Sequence, residues 1–155
     1  MNQEETKTIK KILVKLFQDT RSSEEKLQKT CEILQHSVPH YDWVGFYFAN
    51  HHQKTLHLGP FAGLPTDHTE IPFGKGICGQ VAESNQTFVV DDVAAQDNYI
   101  SCNIHVKSEI VVPIFKSNGE VGAVLDIDSK DLSTFNETDK VNLERIVSLI
   151  SLQES

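Results

Sequence analysis

No stretch of this 155-residue chain is apolar for long enough to cross a bilayer as a helix. The N-terminal MNQEETKTIKKILVKLF has no basic region, apolar block and small-residue cleavage site in series, so it does not read as a secretory leader. A cytoplasmic protein is expected. Cysteine is scarce and odd in number: Cys31, Cys78 and Cys102 stand far apart, which excludes a disulfide framework. A basic stripe is also missing. The formal net charge is −8, and a surface of that sign repels phosphate backbones, so neither nucleic acid nor a membrane is an expected partner. Lys7, Lys10, Lys11 and Lys15 share their segment with Glu4 and Glu5 and read as a solvated helix face. No close Cys and His set has zinc spacing: His36 and His40 are four apart, but Pro39 interrupts them, and His51 and His52 fall in a polar turn. No metal and no cofactor is expected. The glycine-rich GKGICG (74–79) lacks the spacing of a Walker loop, although a helix start of this kind can cradle an anion. Repeats, low-complexity tracts and linkers are absent, leaving one domain over 1–155.

What is present is a sequence of clear periodicities. Ile9, Ile12, Leu13, Leu16 and Phe17 fall on one face of a helix over 4–19. Ser22 or Ser23 caps a second helix, with glutamates in its first turn and Leu27, Cys31 and Leu34 along its apolar side. After Pro39 the period shortens. DWVGFYFA (42–49) and KTLHLG (54–59) read as a strand hairpin. The loop 59–76, GPFAGLPTDHTEIPFGKG, is too long for a plain connection and too apolar for a disordered one, and such loops are often functional. A short helix over 77–85 and a strand over 87–90 follow. Next come a loop with one helical turn, a strand over 108–115, an Asn-Gly turn and a strand over 121–128. A final helix over 136–153 starts at Asn136. Hairpin links imply a largely antiparallel sheet, hence an α+β fold. The outer helices carry more apolar surface than one sheet face needs, which leaves a homodimer open.

The strand VGAVLDID concentrates the chemistry. Alternation sends Val121, Ala123, Leu125 and Ile127 to one face and Gly122, Val124, Asp126 and Asp128 to the other. Two like charges on one apolar face raise at least one pKa, giving a candidate proton donor. Asp128 at a strand end equally suits a turn. Glu109 opens the neighbouring strand and can reach the same end of the sheet, so that three carboxylates suit an ammonium group or a polar oxygen. Cys102 lies in a loop seven residues before Glu109. His105 and Lys107 favour its thiolate and the carboxylates oppose it. Cys78 enters a helix behind GKGI, where it either packs on the sheet or gains a dipole-stabilised thiolate. Trp43 and Tyr99 are candidate walls of a small-molecule pocket, and the other aromatics near the hairpin, Phe46, Tyr47, Phe48, Phe61 and Phe73, are mostly core.

The segments WVGFYF, LHLGPFAGLP, IPFGKGICG, SEIVVPI preceded by a cysteine, and VLDIDS together resemble a GAF domain over nearly the whole chain. Within that group they most resemble the free methionine-(R)-sulfoxide reductases. The resemblance implies an antiparallel sheet flanked by N- and C-terminal helices, with a loop-enclosed pocket on one face. It implies Cys102 as catalytic cysteine and Glu109, Asp126 and Asp128 as acids that hold substrate and assist protonation, and it sets Cys78 on the cysteine of the family's GVCG segment; in the enzymatic reading Cys78 forms a disulfide with an oxidised Cys102. A thioredoxin-like reductant would then restore both thiols. His68 stands where that family carries the cysteine that normally resolves the oxidised catalytic thiol, and it could supply positive charge there. The alternative is a GAF sensor that binds a small metabolite or an anion such as nitrate and signals to a histidine kinase. A bilin pigment is disfavoured, because no Cys-His dipeptide occurs.

Overall fold

Asn2 and Ser22 open the first two helices as side-chain caps, accepting hydrogen bonds from the backbone N–H groups of Glu5 and Glu25. Helix α1 spans Gln3–Phe17 and α2 spans Ser23–Ser37. The computed structural model describes residues 1–96, 105–150 and 152. Ile9, Leu13 and Leu16 of α1 and Leu27, Cys31 and Leu34 of α2 are buried, as their three- and four-residue spacing requires. Ile12, expected on the same face, is instead 44% exposed, because the apolar stripe that meets the sheet is one residue narrower than the pattern suggested.

Six strands follow: β1 Trp43–Asn50, β2 Thr55–Ala62, β3 Glu70–Pro72, β4 Phe88–Val90, β5 Ser108–Phe115 and β6 Val121–Ser129. They form one antiparallel sheet in the order β3-β2-β1-β6-β5-β4. The fold is α+β, as expected. The 59–76 segment departs from its reading as a loop: β2 runs on to Ala62, and β3 pairs back along Thr55–His57. Pro113 is tolerated in the well-buried β5 because β4 reaches only as far as Val111, so the missing N–H leaves no ladder bond unmade. The β5–β6 turn closes with Gly119 at φ 88, the left-handed conformation that the Asn118-Gly119 pair signals.

The sheet has a helical layer on each side. Helices α1, α2 and α4 (Glu137–Val147) pack on one face around Val44, Phe46, Ile110, Val112, Leu125 and Ile127. Helix α3 (Gly76–Ser84) packs on the other, around Tyr47, Leu56, Val111 and Val124. Phe46 is core, as expected, and lies on the side opposite to Trp43 and Tyr47. Asn136 starts α4 with a full capping box to Asp139, but the helix ends at Val147, short of the expected 153.

Candidate functional site: a buried acid cluster beneath helix α3

Strand β6 positions two of the acids. Its alternation holds from Ala123 onward: Ala123, Leu125 and Ile127 join the core under α1, α2 and α4, and Val124 faces α3. The pattern breaks at the strand's start, where the β5–β6 register shifts between Ile114 and Phe115. Val121 therefore packs on the α3 side, and the space above Gly122 is filled by Leu152 and Lys116, the reverse of the expected assignment. Asp126 and Asp128 fall after the irregularity and keep their phase with Val124.

Strand β5 supplies the third acid. Glu109 is the register partner of Asp128, and Val111 that of Asp126. Glu109, Asp126 and Asp128 are 3%, 0% and 1% exposed, so none is a solvated strand-end carboxylate. The turn reading of Asp128 does not hold, since β6 continues to Ser129.

The glycine-rich segment brings in sulfur. Gly74 and Gly76 adopt φ 83 and 60, and Gly79 lies so close to β3 that a Cβ there would meet the Pro72 carbonyl oxygen at 2.4 Å. This contact lets α3 lie directly on the sheet. Cys78, the third residue of α3, is 4% exposed and faces the acids. Its Sγ, one Glu109 oxygen and one Asp126 oxygen all lie within 4.8 Å of one another.

Electrostatics follow from burial. Removal from water raises the Asp126 pKa, and interactions with Glu109, Cys78 and Asp128 offset part of that rise. Asp128 is raised well above the ordinary carboxylate range, first by burial and then by the charge of Asp126. Among the described residues, none of the four oxygens on Asp126 and Asp128 has a hydrogen-bond partner of ordinary geometry. Such a cluster holds protons in the free protein and welcomes a cationic or hydrogen-donating group.

Residues 20–152 match the GAF domain family. The chain belongs to that family. This GAF domain is 40% identical to Protein YtsP of Bacillus subtilis over 118 residues, which cover 76% of the chain and 71% of that protein. It is 41% identical to the free methionine-R-sulfoxide reductase of Saccharomyces cerevisiae over 111 residues, covering 71% of the chain and 61% of the yeast protein. Among solved structures, the free methionine-R-sulfoxide reductase of Neisseria meningitidis in complex with its substrate superimposes with a TM-score of 0.89 at 34% identity. That match covers 96% of this chain and 89% of the other.

Of the other candidate residues, Trp43 borders the cluster through Asp128. Trp43 is the register partner of Asp128, stacks on Phe61 at 5.6 Å and donates its indole N–H to the Leu64 carbonyl at 2.9 Å. Trp43, Leu64, His105, Val106 and Asp128 border a cavity of about 50 Å³. His68 lies between β2 and β3, and its carbonyl accepts a hydrogen bond from the Tyr47 hydroxyl at 3.0 Å. Cys102 and Tyr99 lie outside the described residues. Sequence reasoning missed two features: Tyr47 as the anchor of the His68 loop, and the meeting of Cys78 with the acids. The closely spaced glycines of GKGICG, which permit α3 to touch the sheet, were the available signal for the second. No helix among the described residues is long and apolar enough to cross a membrane.

Proposed function

We propose that this GAF domain reduces free L-methionine-(R)-sulfoxide with thiol electrons. The observation that carries the reading is the convergence of Glu109, Asp126 and Asp128, all buried, on the sheet face beneath α3. A free amino acid brings an ammonium group that can pair with buried carboxylates, and a sulfoxide brings an oxygen that must be protonated to leave. The cluster offers both services. Relatives at 36–41% identity, from yeast and Escherichia coli, are free methionine-R-sulfoxide reductases, which supports the same substrate here.

In the proposed reaction the Cys102 thiolate attacks the sulfoxide sulfur. The S–O oxygen, protonated by an acid of the cluster, passes to Cys102. Methionine leaves reduced, and Cys102 is left two electrons oxidised as a sulfenic acid. A second thiol condenses with that acid, releasing water and forming a disulfide. Cys78 is the internal candidate, because position 68 is histidine. A thioredoxin-like dithiol then reduces the disulfide. Trp43 and Tyr99 are assigned to the pocket wall and His68 to its rim.

The test is turnover of free methionine-R-sulfoxide with dithiothreitol. Wild type is expected to consume the R epimer and spare the S epimer, and Cys102→Ser is expected to lose at least about a thousandfold in rate while keeping its melting temperature. Absence of turnover in wild type, together with thermal stabilisation by nitrate, would replace this reading with that of an anion sensor coupled to a partner such as a histidine kinase.

A further inference from the structure

We propose that Cys78, Glu109 and Asp126 form a binding site for a borderline-soft divalent cation, of which Zn²⁺ is the best chemical match. Three potential ligand atoms, one sulfur and two oxygens, already lie within 4.8 Å of one another. In a tetrahedral site with bonds of about 2.0–2.3 Å, ligand atoms stand roughly 3.5 Å apart, so modest side-chain rotations complete the geometry. A second observation points to a cation independently of that spacing. Asp126 is fully buried, neither of its oxygens has a hydrogen-bond partner of ordinary geometry among the described residues, and the groups nearest to it are acids and a thiol. A divalent ion would satisfy those lone pairs and neutralise the charge that burial makes costly. The mixed sulfur and oxygen donor set favours Zn²⁺ or Co²⁺ over Mg²⁺ and Ca²⁺, which prefer oxygen alone. Asp128, on the same strand face, or a water completes the fourth position. Binding exchanges the thiol and carboxyl protons for the metal, so affinity rises with pH.

The cation site stands apart from the reductase reading, because it can be read without substrate. It does predict a link: an ion held by Glu109 and Asp126 occupies the groups assigned to the substrate ammonium, so Zn²⁺ would oppose substrate binding. The probe is Co²⁺, titrated into the full chain after reduction and removal of the reductant. One equivalent is expected to produce a saturable thiolate-to-cobalt charge-transfer band that Zn²⁺ abolishes. The band should vanish in Cys78→Ser, persist in Cys31→Ser and Cys102→Ser, and require at least about tenfold more Co²⁺ in the isosteric Asp126→Asn variant, with circular dichroism verifying each fold. No saturable band in wild type, or an undiminished band in folded Cys78→Ser, would overturn the site. Methionine sulfoxide turnover in excess chelator tests the reductase separately.

Discussion

The two aspartates of β6 make the molecule's pH dependence a local matter. A carboxyl whose folded pKa exceeds its unfolded value keeps its proton in the folded state after the unfolded chain has released its own. Stability is then greatest below the unfolded value of about 3.9 and falls as pH rises through the raised folded value. Asp126 and Asp128 are both raised, Asp128 strongly, so both act in this direction. Asp128→Asn removes one titration. Its stability relative to wild type is expected to grow more favourable as pH increases from 4 to 8, measured by denaturant melts at each pH. A stability difference that does not change with pH would mean that Asp128 does not titrate in this window. These side chains were legible as a pair because strand alternation is strictly local. Their complete burial was not, since it depends on where α3 lands, and the opposite packing of Val121 and Gly122 comes from a register shift that no local pattern announces.

Helix α3 is the element that converts an open sheet face into a chemical site. Its apolar residues Ile77, Val81 and Ala82 hold it to β5 and β6, and its start is fixed by the bond from the Gly74 N–H to the Gly79 carbonyl at 2.8 Å. Gly79 is the least replaceable point, because the atom a side chain would strike belongs to the β3 backbone and cannot rotate away. Gly79→Ala is expected to destabilise by about 1–3 kcal/mol, the usual range for forced overpacking. It should also displace Cys78 from the acids, so, under the proposed function, its loss of reductase activity should exceed what its fraction unfolded explains. Equal losses would show that α3 positions nothing beyond itself. The helix's existence was readable from sequence, and it ends at Asn85 in the left-handed region at φ 63. The Cys78 contact joins residues 31 and 48 positions apart in the chain, and no periodicity carries that information. The second and the last helix show the converse: their caps at Ser22 and Asn136 are local signals, and each is formed.

At the scale of the whole molecule, the layers divide labour. The α1–α2–α4 side holds the larger apolar cluster, and the buried thiol Cys31 belongs to it, its pKa pushed up by burial. The α3 side accepts three buried carboxyls that the apolar side must outweigh. A ligand that satisfies those carboxyls therefore returns stability to the entire fold. With one site and ligand at a hundred times its dissociation constant, the gain is about 2.7 kcal/mol, or a rise of roughly 5–10 °C in melting temperature for a chain of this size. Free L-methionine-(R)-sulfoxide is expected to produce that rise in the Cys102→Ser variant, which under the proposed mechanism binds without turning over. N-acetylmethionine sulfoxide keeps the sulfoxide and lacks the ammonium, so it should produce none. Equal stabilisation by both would mean that the acids do not select the amino group, and would reduce their part to protonation of the departing oxygen.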